Sequence, residues 1–288
     1  MAPCPSLTLN RMMLPLTLQS VQPNRGALWV RQGFKVFFKQ PMLYAGLFAS
    51  FLFVVFVMAL LPVVGSVLVL ASLPLVTLIF MAATRLATEG MRPNPAALMG
   101  ALRMSRSEAF RMLQLGLIYA VATFAILGLS DLLDGGAFDA LMEALPAVQT
   151  APAAVNAKLA DPRLALGILL RAGLAGLLSV PFWHAPALVH WGGQGCAQSL
   201  FSSTLACWRN KGAFTIYSLT WLAAIMLFAM LGSLIFGLLG QVQMFALAAT
   251  PFSLMLTTVF YASLFFTFKD CFVGSATEPL PAPPEPNP

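Results

Sequence analysis

Both histidines of the sequence, His184 and His190, fall within one largely apolar stretch from Phe182 to Trp191. Imidazoles in such surroundings are candidate haem or metal ligands. Their spacing argues against a joint site. Six residues turn a helix by about 600°, about 240° net, so the two rings leave the helix in different directions. The simpler expectation is that His184 bonds to a neighbouring helix and that His190 sits with Trp191 in an interfacial aromatic belt. Arg171 is the one formal charge between Arg163 and Arg209. An unpartnered guanidinium deep in hydrocarbon is costly. Arg171 is therefore expected to snorkel to the outer headgroups with some pairing to Asp131; Asp134 is the other acid at that boundary. A ligand-binding role is the functional alternative, because an intramembrane charge is a functional candidate by default.

Little else in the chain has the spacing that chemistry requires. Cys4, Cys196, Cys207 and Cys271 form no CxxC pair, so zinc and redox spacings are absent and free thiols are expected. No nucleophile elbow, Walker loop, HExxH or EF-hand loop occurs. No metal or cofactor is implied. No carboxylate lies inside an expected span, which counts against an ion- or proton-driven carrier.

The elements that position these residues must be membrane helices. The chain has 288 residues, 59% hydrophobic and 9% charged, with a mean hydropathy of +0.84. A soluble domain carries roughly 25% charged residues, so a soluble enzyme is excluded, and the apolar content excludes disorder. The net charge of +6 reads as membrane topology and attraction to anionic headgroups, and not as a nucleic-acid footprint.

A spanning helix needs about 20 mostly apolar residues. The fold class expected is all-α: a polytopic bundle of six transmembrane helices with amphipathic interfacial helices. The spans are expected at about 42–61, 66–84, 112–130, 164–191, 214–238 and 244–268, within a membrane domain of 26–272. Pro74 predicts a kink in the second span, and Pro181 and Pro186 predict one in the fourth. Residues 131–163 read as an acidic loop with a short helix at 137–145. Residues 1–25 are expected to carry no fold. No signal peptide is expected there, because the stretch after Arg11 is short and broken by Pro15, and Met12 or Met13 is a candidate start. The tail 273–288 is Pro-rich and expected to be extended.

Orientation follows from Lys and Arg in short loops. Arg11, Arg25, Arg31, Lys35 and Lys39 precede the first span, and Arg85, Arg92, Arg103, Arg106 and Arg111 separate the second from the third. Arg209, Lys211 and Lys269 complete thirteen basic residues on one side, against Lys158 and Arg163 on the other with Arg171 near the boundary. The basic side is expected to be cytoplasmic. Both termini then lie inside and the 131–163 loop lies in the periplasm.

Three further patterns are legible. Residues 27–40 read as an interfacial helix leading into the first span, with Val30, Gly33, Phe34, Phe37 and Phe38 on one stripe and Arg31, Lys35 and Lys39 on another. The stretches 95–111 and 197–212 repeat a layout of helix, basic residues and span, which raises a weak parallel duplication. Ala229, Ser233 and Gly237 on the fifth span, and Ala249, Ser253 and Thr257 on the sixth, form small-residue stripes expected to face each other.

Several strings also carry a resemblance: Trp29 to Phe34, Phe37 to Pro41, Phe182 to Trp191, Ala206 to Asn210 and Gly212 to Phe214. Over roughly residues 16–272 the chain resembles an uncharacterised family of proteobacterial six-span inner-membrane proteins. That resemblance implies six spans and inner-membrane location, and it implies no catalytic residues. The function expected is a non-enzymatic structural or interaction component of the cell envelope, in contact with anionic lipid and with membrane partners or further copies of itself. A transporter or channel for a small or lipid-like solute is the second expectation. A membrane enzyme or cofactor protein using His184 or His190 is the third.

Overall fold

The computed structural model describes residues 16–62, 64–91, 95–147 and 152–274. In chain order the elements are β1 (Thr17–Leu18), α1 (Arg25–Lys39), α2 (Pro41–Ala59), α3 (Val64–Thr88), α4 (Pro95–Ala101) and α5 (Arg106–Asp134). They continue with α6 (Ala137–Ala144), α7 (Pro152–Leu159), α8 (Pro162–Phe182), α9 (Ala185–His190), α10 (Cys196–Arg209), α11 (Lys211–Leu238), α12 (Val242–Cys271) and β2 (Phe272–Val273). Among the described residues six helical stretches are long and apolar enough to cross a membrane: α2, α3, α5, α8 with α9, α11 and most of α12. The protein is an all-α polytopic bundle.

Local chemistry explains where the helices start and stop. Pro41 opens α2 at a position where its missing N–H is no loss. Ser105 and Glu108 form a reciprocal capping box at the head of α5, and Gly135 ends that helix in the left-handed conformation at φ 64°. Asp161 caps α8 by accepting the Arg163 N–H at 2.9 Å, ahead of Pro162. Pro74 and Pro251 sit inside α3 and α12 without ending either helix, which membrane helices tolerate when neighbours satisfy the freed carbonyl. The acidic loop holds the expected short helix as α6, and also α7. The two stretches read as a duplication fold differently. α4 is seven residues long with none buried, whereas α10 has 14 residues with Ser199, Ser203, Ala206 and Cys207 buried.

α1 departs from the expectation of a surface helix. It lies in the groove between α11 and α12, parallel to the first and antiparallel to the second. Arg25 meets Asp270 and Gly33 meets Ser263, while Gly26 meets Ala213 and Phe34 meets Trp221. At Gly26 any Cβ would collide with the Ala213 carbonyl, so glycine is what lets the backbones close. Trp29 is fully buried, and Arg31, Lys35 and Lys39 remain on the exposed face. The apolar face expected to meet lipid is therefore packed against protein; of the expected stripe only Phe38 stays largely exposed, at 63%.

The segment expected to lack fold is also corrected in part. Residues 1–15 lie outside the described residues, but β1 pairs antiparallel with β2, Thr17 opposite Val273. The Asn210 side chain then holds the next turn, accepting the Val21 N–H at 2.7 Å and donating to the Gln19 carbonyl at 3.0 Å. An extended chain leaves its amides free, and β2 with Asn210 satisfies them. Residues 275–288 lie outside the described residues.

Candidate functional site

Arg171 does not snorkel. Its side chain is 12% exposed and its guanidinium forks onto two acids of the last turn of α5, Asp131 and Asp134. Asp134 is fully buried, whereas the Asp131 side chain is 41% exposed. The Phe138 ring of α6 lies 4.3 Å from the guanidinium carbon, so the charge is closed in by a π-face as well. Asp134 also accepts the Gly136 N–H at 2.8 Å, which couples the ion pair to the end of α5. Gly167, one helical turn before Arg171, leaves the space that the Asp134 carboxylate fills; a Cβ there would strike it. The expected partner, Asp131, is thus the outer half of the pair, and the stronger partner is Asp134. α5 stays helical past the expected end at residue 130 because these two acids have an internal cation.

The fourth span breaks at Trp183 and His184, between α8 and α9. The break separates the Val180 carbonyl from the His184 N–H, and one side chain of α10 bonds to both. Ser203 Oγ accepts from His184 N at 3.0 Å and donates to the Val180 carbonyl at 2.9 Å. The His184 ring is fully buried, with Nε2 3.2 Å from Thr267 Oγ1. Thr267 gives its own proton to the Leu264 carbonyl at 2.8 Å, so it accepts from His184 Nε2 and from Trp183 Nε1. That assigns the Nε2–H tautomer and leaves Nδ1 without a partner, among the rings of Phe214, Phe268 and Phe272.

His190 also bonds singly. Its Nε2 donates to the Ala101 carbonyl at the end of α4, at 2.9 Å. The ring of Trp191 packs on Phe268 and carries the Arg85 guanidinium 5.6 Å from its centroid. The two histidines therefore serve different contacts, as their spacing requires, and neither meets Arg171.

The sequence missed a second ion pair. Asp270, at the end of α12, accepts Arg25 Nε at 2.8 Å, Arg25 Nη2 at 2.9 Å and Trp29 Nε1 at 2.6 Å. Asp270 is the one acid between Asp161 and Glu278, in a chain whose first 88 residues hold none. That isolation was the signal available.

The small-residue stripes of α11 and α12 do not close on each other. Ala229, Ala249, Ser253 and Thr257 line an apolar cleft of about 700 Å³, and Ser233 and Gly237 are exposed. Phenylalanines hold the helices apart: Phe228 stacks on Phe252 at 3.5 Å between centroids, and Phe245 fills the notch at Gly232. Trp221 Nε1 is buried at this cleft with no hydrogen-bond partner.

Among the described residues no group of three His, Cys, Asp or Glu is arranged to hold a metal ion. Cys196, Cys207 and Cys271 are free thiols, and Cys4 lies outside the described residues. Burial pushes the Cys207 thiol of α10 up to about 12, which keeps it uncharged.

No protein-family model matches the chain, and no solved structure matches it. It is 33% identical over 264 residues to a probable inner membrane protein of Burkholderia thailandensis, an alignment that covers 89% of this chain and 94% of the relative. Identity at that level across nearly the full length of both chains, together with six membrane-type helices, places this protein in the same family of multi-pass inner-membrane proteins.

Proposed function

We propose that this protein is a non-enzymatic structural or interaction component of the cell envelope. One observation carries the reading: the polar side chains with chemical potential are engaged in bonds that hold the fold. Arg171 is held by Asp131 and Asp134, His184 by Thr267, and His190 by the Ala101 carbonyl. Groups that do acid–base or ligand chemistry are usually kept free or open to a substrate. The apolar outer faces of α8 and α11, with Leu169 and Leu177 on one and Met226 and Met230 on the other, suit lipid, membrane partners or another copy of the chain. The test compares stability with biological competence across substitutions of these residues. Loss of competence is expected to track loss of folded protein.

The orientation that goes with this reading puts both termini in the cytoplasm and residues 131–163 in the periplasm. Reporter fusions at Gly100, Gly212 and Gly274 are expected to read cytoplasmic, and one at Ala153 periplasmic. A cytoplasmic signal at Ala153 would overturn the orientation.

The cleft between α11 and α12 favours a second reading, a carrier or channel for a lipid-like solute. Its size suits an acyl or isoprenoid chain, and Trp221 Nε1 offers one hydrogen bond inside it.

A further inference from the structure

At the end of the bundle that carries the basic loops, a cavity of about 430 Å³ opens between α3, the end of α4 and α9. Ala82, Leu86 and Trp191 form its apolar wall, and Arg85, Arg103 and His190 bring nitrogen to it. We propose that this cavity binds a phosphate group carried on an anionic ligand.

Two arginines converge on that chemistry. Arg85 uses Nε for Glu89 at 2.9 Å, and its two terminal nitrogens have no hydrogen-bond partner among the described residues. That guanidinium also lies over the Trp191 ring, its carbon 5.6 Å from the centroid. Arg103 is exposed and makes no ion pair among the described residues. His190 gives its Nε2 proton to the Ala101 carbonyl, so its unpartnered Nδ1 at a wall of the same cavity is an acceptor and adds no donor toward phosphate.

Among the described residues Glu89 is the one acid lining the space, and Arg85 already holds it. The lining therefore keeps a surplus of positive charge and unused guanidinium N–H groups, which match phosphate oxygens in geometry. The cavity sits where α3 leaves its apolar stretch. Basic pockets between transmembrane helices at that level suit phospholipid headgroups. A phosphorylated soluble molecule would present the same group, and the experiment separates the two sources.

The full-length protein, delipidated in a neutral maltoside detergent, is titrated separately with dihexanoyl phosphatidylglycerol, dihexanoyl phosphatidylcholine and sodium phosphate. The readout is the unfolding midpoint, which rises saturably when a ligand binds the folded state. Phosphatidylglycerol is expected to raise it and phosphatidylcholine to do so far less. A rise with sodium phosphate at similar concentrations would assign the site to soluble phosphate and keep the proposed chemistry.

Arg103→Gln is the test variant, because this side chain is exposed and holds nothing in the fold. It is expected to weaken binding roughly fivefold. Arg106→Gln removes the same charge three residues on, outside the cavity lining, and is expected to leave affinity within a factor of two. Equal loss in the two variants would reduce the effect to general surface charge and overturn the site. No saturable response to phosphatidylglycerol or to phosphate would overturn it as well.

Discussion

Replacing Arg171 with leucine is expected to destabilise the folded bundle and lower its unfolding midpoint, because it leaves the enclosed carboxylate of Asp134 without a cation. The measurement is unfolding in mild detergent, followed by heat or denaturant. Asp134→Asn should come close to Arg171→Leu. It removes the same pair from the other side and weakens the bond to Gly136 that shapes the end of α5. Asp131→Asn should cost about 1 kcal/mol or less, since that carboxylate is half in solvent. The double variant Arg171→Leu with Asp134→Asn should be much less destabilised than the sum of the two, because no unpaired buried charge remains. Additive losses would mean that Arg171 and Asp134 do not act as a pair. An Asp131→Asn loss equal to that of Asp134→Asn would return the main role to the acid the sequence favoured.

The second large effect belongs to the opposite end of the bundle. Asp270→Ala removes the acceptor of the buried Trp29 indole and both bonds from Arg25. An orphaned buried donor costs about 1–3 kcal/mol and a half-exposed ion pair up to about 1, so a loss of roughly 1–4 kcal/mol is expected. The damage should also be local. α1 is held in its groove by this clamp, and β1 by the adjoining β2, so limited proteolysis should cut first within residues 16–40. Trp29→Phe in the Asp270→Ala background should recover part of the loss, since the indole donor is gone. Wild-type protection of residues 16–40 in Asp270→Ala would show that the groove alone holds α1.

How much of this was legible in the sequence depends on the range of the interaction. Hydropathy is local, so the six spans could be read to within a few residues, and so could the break near Pro181 and Pro186. The excess of Lys and Arg in alternate loops is a sum over short segments and was equally readable. Partner choice was not. Asp131 and Asp134 both face the N-terminal half of α8, and only the packed position of Gly167 decides that Asp134 is the buried one. Arg25 and Asp270 are 245 residues apart, and nothing in either neighbourhood names the other. The helix α1 was readable as amphipathic, but the pattern cannot say whether an apolar face meets lipid or protein. Gly26 and Gly33 on that face were the available hint, because a lipid-facing stripe has no need of close backbone approach. The stripes on α11 and α12 misled for the opposite reason: small residues permit close packing, and the neighbouring phenylalanines prevent it.

We propose that the polar residues within the membrane fasten the fold and perform no chemistry. It is tested most directly by pairing two readings on one set of variants. Arg171→Leu, Arg171→Lys, His184→Gln and His190→Gln are each purified for an unfolding midpoint, and each is expressed in cells lacking the chromosomal copy. There the reading is envelope permeability to a hydrophobic dye. The account predicts that loss of the native copy raises permeability, and that each variant restores the barrier in proportion to its stability. In particular His184→Gln, whose amide can still donate to Thr267, should be close to wild type in both. A variant with the wild-type midpoint that fails to restore the barrier would contradict the account, and would return the imidazole or guanidinium to a direct role in function.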